Sequence, residues 1–208
     1  EEAVHKETGL LLDPYFSATK MRWMLDNVDA VAQAQEAGRL AFGTVESWLV
    51  AKLSGGAHVS DASNASRTLL LPLGEAGFSP DLCDLFGVPH EALPQVVDTH
   101  GEIARTDPEL FGRAIPMCGL VGDQEAATIG QGCLSEGETK ATYGTGAFVL
   151  TNKGQEIPHS DNRLLGTVLS GWVYQVYGLE ACLWLSSGLI ALAALIATGL
   201  PERRPVSA

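Results

Sequence analysis

Residues 115–130 read IPMCGLVGDQEAATIG, and this stretch decides the fold class. Residues 115–122 form a short apolar run without charge, which predicts a buried strand. Ala126, Ala127 and Gly130 are small residues in the segment that follows, and they suit a tightly packed helix. A strand that leads directly into a helix is typical of α/β domains. The sequence therefore predicts an α/β fold with Asp123 at the junction of strand and helix.

Helical periodicity dominates the first half of the chain. Two predicted helices each carry apolar residues on one face: Met21, Met24, Leu25 and Val28 after a turn at residues 13–17, then Val45, Trp48, Leu49 and Leu53. Thr44 is placed to cap the second helix and Gly55 to end it. Ser79-Pro80-Asp81 predicts the start of a third helix, which Gly87 and Pro89 end after Phe86.

Strands dominate the second half. Residues 140–143 and 147–151 are strand-like and are joined by Gly144-Thr145-Gly146, a hairpin signal. Residues 164–169 and 172–177 predict two more strands, separated by Ser170-Gly171. The change from helices to hairpins places a domain junction near residues 130–134.

Composition excludes some functions. The chain has 208 residues, with 25 Asp plus Glu against 13 Lys plus Arg, so its formal charge of -12 argues against a nucleic-acid partner. The four cysteines are far apart and lack the spacing of metal ligands, which predicts reduced thiols in a cytoplasmic protein and no metal site of the protein's own. Residues 181–200 carry no charge; their length permits a membrane span, but their Ser, Thr and Gly content favours a buried or displaced helix.

Asp123 and Gln124 form the strongest candidate site. Ligands of open α/β sheets gather at the carboxyl ends of strands, where Asp123 could accept a proton from a substrate hydroxyl and Gln124 could bind another hydroxyl. The alternative is that Asp123 only caps the helix.

Weaker candidates lie elsewhere. The Gly144-Thr145-Gly146 turn could present N–H groups to a phosphate, or it is an ordinary hairpin. Phe148 could line a small-molecule site or fill the core. Tyr15 could bind a polyol hydroxyl or anchor a turn, whereas Arg67 is expected to tie loop carbonyls together.

Six short motifs in chain order resemble the glycerol kinases of the carbohydrate kinase family, which has an actin-like, ribonuclease-H-like fold. They are DPYFSATK at residues 13–20, GTVESWL at 43–49, NASRT at 64–68, GDQEAA at 122–127, TYGTGAF at 142–148 and YGLE at 177–180. Each motif is weak singly, but six of them in one order form a specific set.

The resemblance implies transfer of the γ-phosphoryl group of ATP to a terminal hydroxyl of glycerol, with Mg²⁺ carried by the nucleotide. It implies these roles: Asp123 as general base and glycerol ligand, Gln124 and Tyr15 as glycerol-binding residues, Phe148 as an apolar wall, and Gly144 with Thr145 facing the terminal phosphate. A homo-oligomer is implied for the full-length enzyme. Gln124 and Phe148 favour glycerol over other sugars or polyols, although a related sugar kinase or a non-catalytic glycerol-binding remnant stays open.

The resemblance also implies a domain organisation. Residues 1–131 correspond to the end of a first, substrate-binding domain, and residues 132–208 to the start of a second, nucleotide-binding domain. The tail from about residue 181 departs from the family pattern, and the opening phosphate-binding segment of the family would precede Glu1. We therefore expect these 208 residues to have little or no activity alone.

Overall fold

The computed structural model describes residues 1–144, 146–157, 160 and 164–168. Its α-helices are α1 (Glu2–Thr8), α2 (Ser17–Asn27), α3 (Asp29–Glu36), α4 (Val45–Ser54), α5 (Ala62–Ala65), α6 (Pro80–Phe86), α7 (Pro108–Phe111) and α8 (Asp123–Gly130), and a 3-10 helix spans His90–Ala92. Its strands are β1 (Val59–Asp61), β2 (Gln95–Val97), β3 (His100–Arg105), β4 (Pro116–Gly119), β5 (Thr139–Tyr143) and β6 (Ala147–Thr151). Helices and strands mix along the chain, which confirms the α/β prediction.

The described residues fall into two compact units. The first unit comprises Glu1–Ala126 together with the described residues from Lys153 onward. The second unit is Ala127–Asn152. Helix α8 begins in the first unit and continues into the second.

The core of the first unit is built from apolar residues of several helices and of residues 69–70. Its buried members are Val4, Leu10, Phe16, Ala18, Met21, Phe42, Leu69, Leu70, Leu82, Cys83, Val88, Ala92 and Leu93. Met24 and Leu25 pack against this core, so the predicted inward face of α2 is confirmed. Leu69 and Leu70 have no exposed surface, and burying one such side chain stabilises the fold by about 1.5–3 kcal/mol.

The residues predicted to begin and end α4 and α6 do so in the structure, with one exception. The hydroxyl of Ser79 accepts a hydrogen bond from the Leu82 N–H at 3.3 Å, and Gly87 ends α6 in the left-handed conformation with φ 63°. Gly55 ends α4 in the same way. Thr44 does not cap α4 through its side chain, because its hydroxyl donates to the Glu46 carboxylate instead.

The apolar face predicted for α4 points to solvent. Val45 is 75% exposed, Trp48 is 60% exposed and Leu49 is 45% exposed. The buried residues of α4 are instead Ser47 and Val50, and the helix lies against β1 and β3. The periodicity predicts the helix correctly, but the described residues place no cover over its most apolar face.

The predicted buried strand at residues 115–122 is shorter and more exposed than expected. Strand β4 pairs antiparallel with β3 in a two-stranded sheet, and Pro116, Cys118 and Gly119 are exposed. The prediction of burial is wrong because a two-stranded antiparallel pair leaves a face open to solvent. The described residues contain one parallel pair, β1 with β2, in which Val59 lies opposite Gln95.

The predicted hairpin of the second unit is confirmed. Strands β5 and β6 are antiparallel, and Tyr143 lies opposite Ala147 across the turn. The strand predicted at residues 164–169 is wrong for residues 164–168, which form no regular strand because their backbone bonds to a loop and to a side chain instead. Thr145 and residues 169–208, with the predicted strand at 172–177 and the uncharged run, lie outside the described residues. Among the residues that are described, no helix has the length and apolar character needed to cross a membrane.

Candidate active site

Asp123 is the first residue of α8 and is exposed. The helix hydrogen bonding begins one residue earlier, where the Gly122 carbonyl accepts from the Ala126 N–H at 2.8 Å. Within the described residues, the Asp123 carboxylate accepts one hydrogen bond, from the side-chain amide of Gln124 at 3.2 Å, and none from a backbone N–H. This geometry does not fit a capping role, and it leaves the carboxylate oxygens accessible to a ligand.

The loop that carries Asp123 is fixed by two backbone donors. The Gly122 N–H donates to the Ser63 hydroxyl at 2.7 Å, and the Leu120 N–H donates to the Thr99 carbonyl at 3.0 Å. A Cβ on Gly122 would lie 2.6 Å from an Oε of Glu125, so a side chain there would require the buried Glu125 carboxylate to move. The loop therefore has little freedom just before the candidate base.

Tyr15 lies at the surface of the first unit, with 69% of the residue exposed. Its backbone is held in the predicted turn, where the Tyr15 N–H donates to the Asp13 carboxylate at 2.7 Å. Its ring packs edge-on against Phe16, with the ring centroids 5.4 Å apart, and the Lys20 Nζ lies 5.9 Å from the Tyr15 ring centroid. Within the described part of the chain, its phenol hydroxyl makes no hydrogen bond and so can bind a ligand.

Arg67 links the turn that carries Tyr15 and Phe16 to the loop at Gly166. Its guanidinium lies 5.0 Å from the centroid of the Phe16 ring, and its Nη1 donates to the Gly166 carbonyl at 3.0 Å. The prediction that Arg67 ties a loop carbonyl is thus confirmed. Burial lowers the pKa of the Arg67 guanidinium, and the charge of Glu125 opposes this shift.

Glu125 is a buried carboxylate in the GDQEAA motif, to which sequence reasoning gave no role. It is 5% exposed, and it accepts a hydrogen bond from the Thr167 hydroxyl at 2.8 Å. Thr167 in turn lies 3.1 Å from the Ser66 hydroxyl, which joins α8 to the polar segment at residues 61–68. The density of polar residues in that segment is the signal that could have indicated a buried network.

The glycine turn belongs to the second unit. The Gly144 N–H donates to the Gly146 carbonyl at 2.9 Å, and Thr145 between them lies outside the described residues. Phe148 is 45% exposed, and its ring would lie 3.2 Å from a Cβ at position 146. A side chain at position 146 would therefore contact the Phe148 ring, and the exposed ring surface is free to line a ligand site.

The amino-acid sequence matches a known protein family over more than half of its length. Residues 1–130 match the family model described as "FGGY family of carbohydrate kinases, N-terminal domain". This chain belongs to the FGGY family. The match runs from the start of the first unit to the end of α8, and it includes Tyr15, Arg67 and Asp123.

Bacterial glycerol kinases are among the proteins that are similar to this chain in sequence. A glycerol kinase of Rhodospirillum rubrum is 49% identical over 210 residues, which cover 95% of this chain and 42% of that protein. A glycerol kinase of Methylobacterium nodulans is 46% identical over 218 residues, covering 98% of this chain and 43% of that protein. The chain thus spans less than half the length of these relatives.

Solved structures confirm the fold. The crystal structure of Plasmodium falciparum glycerol kinase with ADP superimposes with a TM-score of 0.78 at 32% identity, covering 81% of this chain and 34% of that one. The xylulose kinase of Rhodospirillum rubrum superimposes with a TM-score of 0.69 at 21% identity, covering 97% of this chain and 44% of that one. The first match agrees with the ribonuclease-H-like prediction, and the second shows the shared fold alone.

Proposed function

We propose that this chain is part of a glycerol kinase, which uses ATP to phosphorylate glycerol to glycerol 3-phosphate. The observation that carries the proposal is the exposed Asp123 carboxylate, which starts α8 without accepting a backbone N–H of the described residues. Family membership and the similarity to glycerol kinases support the same function. A cytoplasmic location and a homo-oligomeric full-length enzyme belong to the same proposal.

Asp123 is the general base in this proposal. It accepts the proton of a terminal glycerol hydroxyl as that oxygen forms a bond to the γ-phosphorus of ATP. The bond between the γ-phosphorus and the bridging oxygen breaks, and ADP leaves with the electron pair. Gln124 and Tyr15 bind the other hydroxyls and orient glycerol, and Phe148 provides an apolar wall for its carbon chain.

ATP is the second substrate, and the residues for its terminal phosphate are Gly144 and Thr145. Among the described residues, a Cβ on Gly144 would meet no atom within 4 Å, which supports a turn open enough for a phosphate to approach its backbone. The described residues contain no group of three or more His, Cys, Asp or Glu placed to hold a metal ion. We propose, from the family resemblance, that Mg²⁺ arrives with the nucleotide, where it would neutralise charge on the phosphates.

The two-domain organisation is part of the proposal. Residues 1–131 would bind glycerol and residues 132–208 would begin the nucleotide-binding domain. Since the relatives are more than twice as long, residues outside this sequence would complete the site. We expect the 208 residues alone to turn over glycerol at no more than the background rate, which a coupled assay of ADP release checks.

Substitution of Asp123 tests the function directly. In a full-length enzyme that contains this sequence, Asp123→Asn is expected to lower kcat by about 10²–10⁴, the usual effect of losing a positioned general base. The matched control is Asp29→Asn, because Asp29 is also an exposed aspartate at the first position of a helix. Near-normal turnover of the Asp123 variant would refute the assignment.

Two rival functions make different predictions. A non-catalytic glycerol-binding protein would bind glycerol in calorimetry without ATP turnover by the full-length protein. A pentulose or gluconate kinase of the same fold would phosphorylate those sugars with a higher kcat/KM than glycerol. Parallel assays with glycerol, xylulose and gluconate separate the three functions.

A further inference from the structure

Asp61 is a fully buried carboxylate at the end of β1. It accepts five hydrogen bonds, from the Ser63 N–H at 3.1 Å, the Ser63 hydroxyl at 2.6 Å, the Asn64 N–H at 3.2 Å, the Asn64 side-chain amide at 2.7 Å and the Thr99 hydroxyl at 2.9 Å. Five donors exceed the roughly four lone-pair sites of one carboxylate, so Asp61 is a rigid centre and has no capacity left for a substrate.

Two of these donor residues, Ser63 and Thr99, are also hydrogen-bonded to the loop before the candidate base. The Ser63 hydroxyl gives its one hydrogen to Asp61, and the same oxygen accepts the Gly122 N–H at 2.7 Å. Thr99 gives its hydroxyl hydrogen to Asp61, and its carbonyl accepts the Leu120 N–H at 3.0 Å. Because Asp61 fixes the direction of the Ser63 hydrogen, the lone pairs of that oxygen are held toward Gly122.

The position of Gly122 controls the position of Asp123. Gly122 directly precedes the candidate base, and its carbonyl accepts the first hydrogen bond of α8. The Gly122 N–H is bonded to Ser63 and its carbonyl is bonded to the Ala126 N–H. The Cα of Asp123, which follows, therefore has little freedom to move. Displacing a catalytic group by about 1 Å can cost on the order of 10²-fold in rate, so a fixed Cα matters for a base.

We propose that Ser63, oriented by the buried carboxylate of Asp61, is a positioning residue that holds the backbone of Gly122 and thereby aims Asp123 at the substrate. The role of Asp123 rests on the proposed function. The hydrogen bonds that reach Gly122 stand independently of it. Ser63 touches no reacting atom in this proposal and acts through the loop alone.

A comparison of two buried serines in the 208-residue chain tests the proposal. Ser63→Ala removes the acceptor of the Gly122 N–H. Ser60→Ala is the matched control, because Ser60 is equally buried and its hydroxyl donates to Glu46 at 2.7 Å and to the Asp61 backbone carbonyl at 3.4 Å, and neither partner belongs to the loop before Asp123. Amide hydrogen exchange by NMR is measured for both variants of this chain, and glycerol titration by calorimetry is measured for both variants of a full-length enzyme that contains it.

The expected result is specific to Ser63. After correction for global stability, exchange of the Gly122 N–H should be at least about tenfold faster in Ser63→Ala than in Ser60→Ala. Glycerol affinity should fall by about tenfold in Ser63→Ala and by less than threefold in Ser60→Ala. Ser63→Thr keeps the oxygen and should restore both values, which a general loss of stability would not do.

Equal exchange at Gly122 in the two alanine variants would overturn the proposal. A wild-type full-length enzyme that binds no glycerol would overturn the proposed function, and the exchange comparison would still decide whether Ser63 holds the loop. If Ser63→Ala does not fold, Thr99→Val removes one donor to Asp61 and should speed exchange at Gly122 by at least about threefold. Unchanged exchange at Gly122 in that variant would also overturn the proposal.

Discussion

Two segments of the first unit have the opposite burial to the one that their composition suggests. Residues 61–68 are densely polar, yet Asp61, Ser63, Ser66 and Thr68 are all buried. Helix α4 carries the apolar face with Trp48, yet that face is exposed. The comparison teaches that burial in this protein follows the partners available to each group, and polarity alone does not decide it.

The buried polar segment has partners that come from far along the chain. Thr99 reaches Asp61 from 38 residues away, and Gly122 reaches Ser63 from 59 residues away. Each buried donor is matched with an acceptor, so the cost of removing it from water is offset. The exposed face of α4 has no such match among the described residues, and it contributes little to the stability of the first unit.

The largest effect is expected at Asp61. Asp61→Ala should lower the free energy of unfolding by about 3–5 kcal/mol, because several buried donors lose their acceptor at once. Urea unfolding followed by circular dichroism measures this loss. Asp26→Ala is the control, because Asp26 is exposed and pairs with Arg22 on the surface of α2, where solvent screens the pair and its contribution to stability is small. Equal losses would mean that the polar segment is not a buried network.

An effect of intermediate size is expected for the rates at which a reagent labels the exposed Cys118 and the buried Cys83. Cys118 lies on the exposed strand β4, whereas Cys83 is 1% exposed in the core. Burial, followed by the charges of Asp84 and Glu91, raises the pKa of the Cys83 thiol to about 11. At pH 8 a maleimide should therefore modify Cys118 more than about tenfold faster than Cys83, as mass spectrometry of the peptides would show.

The pH dependence of stability follows from the same thiol. The pKa of Cys83 in the folded chain lies above its ordinary value of 9.0, so the unfolded chain releases this proton first. The contribution of Cys83 to stability is full below pH 9 and is lost as the pH rises toward about 11. Cys83→Ala should remove this part of the pH dependence.

In the labelling experiment, modification of Cys118 at pH 8 as slow as that of Cys83 would show that β4 is buried, as its apolar sequence suggests.

The smallest effect is expected on α4. Trp48→Gln should change the free energy of unfolding of this chain by less than about 1 kcal/mol, since the side chain is mostly in water already. Leu70→Ala is the contrasting variant, and its loss of a fully buried side chain should cost about 2–5 kcal/mol. Urea unfolding of both variants is the measurement, and a loss above about 2 kcal/mol for Trp48→Gln would contradict the exposed face.

Features with local causes could be predicted from the sequence. Ser79 and Pro80 start α6, Gly87 ends it, and the glycine turn after Tyr143 joins β5 to β6, because each depends on residues within a few positions. The prediction of a buried strand at residues 115–122 failed because burial depends on neighbours that periodicity does not reveal. The cap expected from Thr44 failed because Glu46 competes for its hydroxyl.

The candidate site was predictable only in part. Sequence motifs indicated Asp123, Gln124 and Tyr15, and their roles in binding and catalysis stay predictions. Glu125 and Ser63 were given no role, although both contact the loop or helix that carries Asp123. Their importance depends on hydrogen bonds to residues more than 40 positions away, which no local pattern encodes.

By itself, the sequence determined the helix ends, the hairpin and the family to which the chain belongs, because these depend on backbone preferences and short motifs. Tertiary structure alone decided that Asp61 is buried and saturated, that Trp48 faces solvent, and that Gly122 is held by a distant serine. The physical reason is that a polar group can leave water only where the fold supplies its hydrogen-bond partners, and those partners are brought together by long-range packing.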